Sequence, residues 1–573
     1  MNALGRIAWA AILVSLGLTR AGGSEPADLT HDGSDVASEI DDYLGRLESF
    51  GFHGSVLVAR GDDIVLCGGY GVADHASGAP ITADTVFHLG SLGKQFTASA
   101  ILLLEMEGKL SVHDTIGQHF PDAPADKREI TIYQLLTHTA GFAYQPGDGP
   151  MLDLPLEYTP GERWSYSNPG YAVLHDLVES VSGESFCAFM DSRFFEPLAM
   201  TRTGCARTGF EGVDNLARAY TDNTDQGAIV EIEWSPRYRG AGDIGSSVRD
   251  LFAWEQALRN SSILSREAIE SLFTGHVRTP GGEMEYGYGW MILTTERGSR
   301  IARHPGNYGG FNCDYRRYLD EDLTIILLSN HFAMGQSMRE AALNDVSRIV
   351  NGGETKNPPR VIELDPKRLN ELEGTYEFDD GNRLTVSAVD GGLAVGSATV
   401  EGYALLYEPD LLSAHRVQLR RWSDASCEFI DAAATRRETE PLRAVISPAL
   451  PFDGAAADLL ELLDELQESF GVYRRVRPAA TISADRGRSA RIFLELEFER
   501  GAALIETTWR GGVLHIDRAT ALPTRRFLPT DEHIFTAYDI FSGHQTDIRF
   551  STEGEVNLLH IDQKEPERIG RRR

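Results

Sequence analysis

Residues 91–107 have the sequence SLGKQFTASAILLLEME, which indicates a buried helix at the centre of a domain. Its first turn carries a serine and a lysine three positions apart, Ser91 and Lys94. Beyond that turn the residues are apolar on nearly every side, and Gly108 supplies a position where the helix can end. A helix without a clear polar face belongs inside a domain. The stretch therefore predicts a core helix, from about Ser91 to Glu107, that begins at a reactive side chain.

Ser91 and Lys94 would be neighbours in that helix, because residues three apart lie on one face. A serine hydroxyl becomes a nucleophile when a base removes its proton, and a lysine that burial keeps neutral can be that base. The helix N-terminus adds N–H donors for a developing oxyanion. The chain has six lysines, and only Lys94 follows a serine by three residues. The alternative, a surface lysine on a first turn, is disfavoured by the apolar run behind it.

A second pattern, Tyr166-Ser167-Asn168, offers groups that such a nucleophile needs. A phenol held near cations can lose its proton and pass it between nucleophile and leaving group. The Asn168 amide offers both a donor and an acceptor to a substrate amide. Asn168 also precedes Pro169, so the alternative is that it merely caps the helix expected at 171–182.

A third pattern is His304-Pro305-Gly306 followed by Asn307, at the edge of a predicted strand. Gly306 would let a substrate lie close along that strand. His304 could donate a hydrogen bond to the substrate or tune Lys94 electrostatically. A lone histidine is more often structural, so this pattern gains its meaning only beside the other two.

Composition restricts the possible partners and compartments. With 573 residues and a net charge of -31, the chain is long enough for two or three domains and would repel nucleic acid. Residues 1–23 contain Arg6 and an apolar stretch, Ile7–Leu18, which predict a signal peptide; an uncleaved membrane anchor is the alternative. We therefore expect a periplasmic or secreted protein with no membrane span in the mature chain.

The cysteines predict neither a metal site nor a dense disulfide framework. The five of them lie far apart without paired spacing: Cys67, Cys187, Cys205, Cys313 and Cys427. Most are expected to be small buried hydrophobic residues, and the odd number leaves at least one free thiol.

The predicted elements divide the chain into two parts. An antiparallel hairpin at 55–66, helices at 171–182, 249–259 and 337–350, and strands at 286–329 indicate one α/β unit over residues 40–350. Residues 351–364 contain NGGETKNPP and are expected to form a linker. Residues 365–573 change to short strands with turn signals, interrupted by one acidic amphipathic helix at 455–470. We interpret them as a β-rich α+β region of one or two small domains.

In order and spacing, the three patterns resemble the motifs of the serine β-lactamase and penicillin-binding protein superfamily. The branch with class C β-lactamases, D-Ala-D-Ala carboxypeptidases and D-aminopeptidases is the most similar. The segments LLTHTAGF at 135–142 and GAGDIGSS at 240–247 resemble two further features of that branch. The likeness covers residues 40–350. The LEGTY segment at 372–376 is similar to the opening strand of the small β-barrels that D-aminopeptidases append.

The resemblance implies an α/β sandwich, an antiparallel sheet flanked by helices, with Ser91 at the start of the buried helix. It implies acyl transfer through an acyl-enzyme on Ser91, with Lys94 and Tyr166 sharing acid–base work. Asn168, His304, Gly306 and Asn307 would bind substrate, with the backbone N–H groups of Ser91 and Asn307 as the oxyanion hole. No cofactor and no metal are implied, and the expected partner is a small-molecule or short-peptide substrate.

The third motif departs from that of true β-lactamases, which generally have Lys-Thr-Gly. His304 replaces the permanent cation that receives a drug's carboxylate, which puts lactam hydrolysis in doubt. We therefore expect an exported serine hydrolase acting on small peptides, D-amino-acid derivatives or esters. The alternatives are a penicillin-binding receptor for cell-wall fragments without turnover, and a true β-lactamase.

Overall fold

The computed structural model describes residues 29–572, with gaps at 145–148, 207, 222–223, 233–234, 281, 283, 296, 332–334, 380, 390, 398–415, 440–451, 485–488, 511–512, 520–524, 540–543, 554–555 and 562–567. The predicted signal peptide, residues 1–23, lies outside the described residues. The chain divides after Asn357 into two compact units. Among the described residues, no helix combines the length and apolar character needed to cross a membrane.

A nine-stranded antiparallel sheet, in the order β1-β3-β2-β16-β15-β14-β13-β12-β11, organises the first unit. It joins both ends of the unit, because β2 pairs with β16. The predicted hairpin at 55–66 is confirmed as β2 and β3. The strands are β1 (Thr30–His31), β2 (Gly54–Arg60), β3 (Asp63–Tyr70), β4 (Val72–Asp74), β5 (Ala79–Pro80), β6 (Phe87–His88), β7 (Gly204–Cys205), β8 (Arg218–Thr221), β9 (Thr224–Ala228), β10 (Ile244–Ser246), β11 (Val277–Arg278), β12 (Met284–Tyr286), β13 (Met291–Thr294), β14 (Arg300–Tyr308), β15 (Phe311–Tyr318) and β16 (Leu323–Ser329).

Helices cover both faces of this sheet. They are α1 (Asp35–Ser49), α2 (Lys94–Met106), α3 (Ile116–His119), α4 (Ile132–Leu136), α5 (Asn168–Ser182), α6 (Phe186–Met190), α7 (Val248–Asn260), α8 (Arg266–Leu272) and α9 (Gly335–Val350). Alternate residues of β15 show the two faces, because successive side chains of a strand point to opposite sides. Arg316 pairs with Glu340 on α9, whereas the Tyr315 hydroxyl donates to Glu255 on α7 at 2.5 Å. The sheet is therefore the middle layer of the unit.

The second unit contains a closed eight-stranded barrel, with β17 paired to both β18 and β28. Between β19 and β24, the described residues of the insertion form two helices and a four-stranded sheet, β20 to β23. The elements are α10 (Pro366–Glu371), β17 (Gly374–Phe378), β18 (Arg383–Val389), β19 (Gly392–Gly396), α11 (Arg416–Arg436), α12 (Phe452–Phe470), β20 (Tyr473–Ala484), β21 (Ser489–Phe498), β22 (Gly501–Arg510), β23 (Val513–Ala519), β24 (Arg525–Pro529), β25 (Ile534–Asp539), β26 (His544–Glu553), β27 (Val556–Ile561) and β28 (Arg568–Arg572).

Two features differ from the sequence-based expectations. Only one helix was predicted in the second unit, at 455–470, whereas the described residues also form α10 and α11 there. Helix α11 packs Phe429, Ile430 and Ala433 against the inserted sheet and α12. Cys187 and Cys205 form a disulfide across a sequence separation of 18. Their pairing depends on the approach of α6 to β7, which spacing along the chain does not reveal. Cys67 and Cys313 are buried cysteines that lie outside this disulfide, as expected.

Candidate active site

The turn that carries Ser91 is shaped by its immediate surroundings. Residues Gly90–Gly93 form a 3-10 turn, and the α-helix itself begins at Lys94, three residues later than predicted. Every residue from Lys94 to Leu104 is buried, which confirms the predicted core helix. Gly90 has a φ of +54° and lies against Asn307, where an added Cβ would come within 2.7 Å of the Asn307 nitrogen. The glycine thus allows the turn to pack directly on β14.

Lys94 joins the first two motifs through three contacts. Its Nζ lies 3.1 Å from the Ser91 Oγ, 2.8 Å from the Asn168 Oδ1 and 2.7 Å from the Ala241 carbonyl oxygen. The side chain is 0% exposed. Burial lowers the pKa of Lys94 well below its ordinary value, and the carboxylate of Asp243 opposes that shift only in part. The structure therefore places an amine of reduced basicity beside the serine hydroxyl.

Tyr166 completes the group around the serine. Its hydroxyl shares a hydrogen bond with Ser91, and its ring centroid lies 4.9 Å from the Lys94 Nζ. The predicted loss of its proton to nearby cations does not match this environment. Burial raises the pKa of Tyr166 well above its ordinary value, and the bond to Ser91 offsets that only in part. Tyr166 is accordingly a protonated phenol, suited to donate a proton.

Asn168 is the first residue of α5, and the helix cap is its neighbour. The Ser167 Oγ accepts a hydrogen bond from the Gly170 N–H at 3.1 Å, which is the contact of an N-cap. Asn168 is therefore not needed as a cap, and its Oδ1 accepts from Lys94 instead. The alternative considered from the sequence, in which Asn168 caps the helix, is wrong in this detail because the cap lies one residue earlier.

His304 is buried, with both ring nitrogens directed at protein groups. Its Nδ1 lies 2.7 Å from the Pro305 carbonyl oxygen, to which it donates, and its Nε2 therefore accepts from the Tyr286 hydroxyl at 3.1 Å. Burial lowers the pKa of His304 to about 3. The ring is thus neutral at neutral pH, 6.1 Å from that of Tyr166.

Gly306 and Asn307 bring β14 against the serine turn. A Cβ on Gly306 would lie 1.8 Å from the Leu89 carbonyl oxygen, so only glycine permits this approach. Asn307 follows on the same strand, and its buried Oδ1 has no hydrogen-bond partner among the residues that the structure describes. The structure therefore brings the three predicted motifs to one place, as their combination required.

Three residues of this site were not among the sequence-predicted ones. His138 accepts a hydrogen bond from the Ser167 N–H at 3.1 Å, and its ring lies 4.3 Å from that of Tyr166. His138 lies in the LLTHTAGF loop and has a φ of +59°, a value that is uncommon for residues other than glycine. Ala241 lies in the glycine-rich segment, so both segments carried a signal. Tyr286 lay in no recognisable motif.

Possible metal ligands also occur together in this unit. In the described part of the chain, two groups of three histidine or carboxylate side chains each lie close enough to share an ion. Neither group includes Ser91, Lys94 or Tyr166.

Comparison with known proteins identifies the family to which residues 51–348 are similar. A family model described as Beta-lactamase matches residues 51–348, about half of the chain. Penicillin-binding protein 4* of Bacillus subtilis (strain 168) is 30% identical over 376 residues, covering 59% of this chain and 82% of that protein. A D-aminopeptidase of Brucella anthropi is 26% identical over 371 residues, covering 59% and 66%. The octameric penicillin-binding protein homologue from Pyrococcus abyssi shares the fold, with a TM-score of 0.51 and 18% identity over 94% of this chain and 100% of that one.

Proposed function

The chain belongs to the Beta-lactamase family, and on that basis we propose that it is an exported serine hydrolase that acts through an acyl-enzyme on Ser91. Its substrates are small peptides, D-amino-acid derivatives or esters. The observation that carries the proposal is the fully buried Lys94 amine, 3.1 Å from the Ser91 hydroxyl.

The contacts of Lys94 fit a general base. A neutral amine has two N–H donors and one lone pair. The Asn168 Oδ1 and the Ala241 carbonyl have no proton to give, so they take the two donors. The lone pair then remains for the Ser91 hydroxyl, which is the proton that must leave before attack.

The remaining groups divide the other steps. As Ser91 attacks a carbonyl carbon, its proton passes to Lys94, and the backbone N–H groups of Ser91 and Asn307 stabilise the oxyanion. Tyr166, protonated and hydrogen-bonded to Ser91, donates a proton to the departing amine or alkoxide. Water then attacks the acyl-enzyme and gives a proton to Tyr166. Lys94 returns its proton to the Ser91 oxygen as the acid leaves, which restores the enzyme.

The third motif favours substrates that need no permanent cation there. With its pKa lowered to about 3, His304 is neutral at neutral pH and gives a carboxylate no charge to pair with. This observation supports neutral esters and amino-acid amides over β-lactams. The name of the Brucella relative, D-aminopeptidase, supports D-amino-acid derivatives among them.

A receptor that is acylated by cell-wall fragments without turnover is the second candidate. It is favoured by the name of the Bacillus relative, a penicillin-binding protein. Both candidates use Ser91 as the nucleophile, and they differ only in whether the acyl-enzyme is hydrolysed.

The disulfide supports export. A bond between Cys187 and Cys205 persists in an oxidising compartment and is rare in a reducing cytoplasm. Fractionation of the source cells with a thiol-labelling assay tests this part: the exported protein keeps these two thiols blocked until a reductant is added.

One set of assays tests the activity. The purified chain is offered esters, D-aminoacyl anilides, D-Ala-D-Ala peptides, a chromogenic lactam and a fluorescent penicillin. We expect turnover of at least one ester or D-aminoacyl substrate, and its loss in Ser91→Ala. Ser99→Ala is the matched control, because Ser99 is a buried serine on the same helix whose hydroxyl donates to the Gln95 carbonyl oxygen. Penicillin labelling without any turnover would establish the receptor instead.

A further inference from the structure

Three histidines outside the candidate active site converge from distant parts of the chain. His53 precedes β2, His75 follows β4, and His331 follows β16. Each offers a ring nitrogen, and these atoms all lie within 4.8 Å of one another. None of them belongs to the three motifs, and the proposed hydrolysis does not use them.

The spacing of two of these rings matches that of metal ligands. The Nε2 atoms of His75 and His331 are 3.3 Å apart. Zinc holds imidazole nitrogens at about 2.0–2.1 Å in a tetrahedron, which separates two such nitrogens by about 3.3 Å. The His53 ring lies 4.9 Å from that of His331 and 5.4 Å from that of His75.

The three rings are also kept in the form that binds metal. Burial lowers the pKa of His53 to about 3 and that of His331 to about 4, and it lowers the pKa of His75 as well. All three are neutral at neutral pH, and only the neutral ring offers a lone pair to an ion. Asp74 and Asp225 add negative charge near His75, which favours a cation.

We propose that His53, His75 and His331 form a binding site for Zn²⁺ or a similar divalent transition metal, with water in the fourth position. His75 and His331 take the first two positions, and the half-buried His75 gives the ion access from solvent. Among the described residues, the buried His331 Nδ1 has no hydrogen-bond partner, so it can carry the proton while Nε2 binds.

His53 is the ligand that must adjust. Its Nδ1 accepts a hydrogen bond from the Val72 N–H at 3.1 Å, which leaves the proton on Nε2. When Nε2 binds the ion, the proton moves to Nδ1 and the contact with Val72 is given up. The ring also turns out of its stacked arrangement on His331.

The role of such an ion is structural. Tyr220 on β8 lies 4.3 Å, ring to ring, from His75, and its hydroxyl accepts a hydrogen bond from the backbone N–H of His75 at 2.9 Å. The same part of β8 packs against the β14–β15 turn, because a Cβ on Gly310 would lie 3.0 Å from that of Ala219. An ion on the histidines would therefore hold together β4, β8 and the end of β16.

The second group of possible ligands is occupied by protein partners. It consists of His175, Asp176 and Glu179 on α5. Both oxygens of Asp176 accept from the Arg239 guanidinium at 2.6 Å, and the Glu179 Oε1 accepts from the Phe186 N–H at 2.9 Å. This group makes a suitable control.

The test uses the full chain without an affinity tag, freed of metal with EDTA and dialysed. Zn²⁺ binding is measured by calorimetry, and Co²⁺ is added as a spectroscopic probe of tetrahedral nitrogen ligation. We expect one ion per chain and a higher Tm with Zn²⁺ than without it. His75→Ala and His331→Ala should each weaken binding by more than about tenfold, whereas His175→Ala should leave it unchanged.

Two outcomes would overturn the proposal. The first is wild-type protein that shows no saturable binding and no tetrahedral Co²⁺ spectrum, a result that does not depend on whether the variants fold. The second is binding that His175→Ala abolishes and His331→Ala preserves.

Discussion

Replacing Gly306 by alanine should disable the site by steric displacement alone. The new Cβ would lie 1.8 Å from the Leu89 carbonyl oxygen and 3.0 Å from the Leu92 nitrogen, where ordinary contact begins at 3.4 Å. These are backbone atoms, which cannot rotate away as a side-chain end can. Either β14, with Asn307, or the turn that carries Ser91 must therefore move by about 1.6 Å.

The displacement sets the size of the effect. Misplacing reacting groups by about 1 Å costs about 100-fold in rate, so we expect kcat/KM to fall by at least that factor, or about 2.7 kcal/mol. Forcing a methyl group into a packed interior typically costs about 1–3 kcal/mol of unfolding free energy. The variant should thus remain folded, with a lower Tm and little activity.

Gly93→Ala is the matched control, because Gly93 lies between Ser91 and Lys94 in the same turn. A Cβ there would meet Ile244 at 3.7 Å and Gly242 at 3.8 Å, both ordinary contacts, in a helical backbone conformation. This variant should keep its activity and gain up to about 1 kcal/mol of stability. Both variants are assayed for ester turnover and thermal unfolding. A Gly306→Ala enzyme within a few-fold of wild type would refute the close approach of β14 to the serine turn.

Lys94→Arg should lose as much activity as Lys94→Ala, because a guanidinium stays protonated and cannot act as base; an active Arg variant in the ester assay would disprove that role. Burial lowers the pKa of His88 from its ordinary value of 6.5 to about 3, so between these values the unfolded chain binds a proton at His88 that the folded chain does not. Stability therefore falls as pH falls through that window, and His88→Phe should remove up to about 1.4 kcal/mol per pH unit of the slope in urea unfolding. Replacing Cys187 and Cys205 together by alanine should cost about 3 kcal/mol of unfolding free energy, given the separation of 18 residues; an unchanged urea midpoint would contradict this.

Much of the candidate site followed from local rules. Ser91 and Lys94 are three residues apart at a helix start, and the geometry of a turn makes them neighbours whatever surrounds them. The apolar run behind them placed the helix in the core, and every residue from Lys94 to Leu104 is buried. The hairpin of β2 and β3 was likewise predicted from its turn residues and from the strand-like runs on either side of them.

Contacts between distant segments could not be predicted from such local rules. Tyr286 carries no motif, yet its hydroxyl holds His304 in its tautomer. Burial reversed the expected direction of the Tyr166 pKa, and burial depends on everything that packs around a group. Cys187 and Cys205 met for the same reason, since α6 and β7 are joined by tertiary packing rather than by spacing.

The sequence by itself determined the reactive pair and the type of elements that carry the motifs, because each depends on residues within a few turns of one another. The order of the three motifs is likewise given directly by the sequence. Only the tertiary structure decided the protonation states and the partners of Lys94, Tyr166 and His304. It also decided the insertion within the barrel and the meeting of the three histidines. The physical reason is that hydrogen-bond partners and desolvation are set by distant chain segments that come together only in the folded protein.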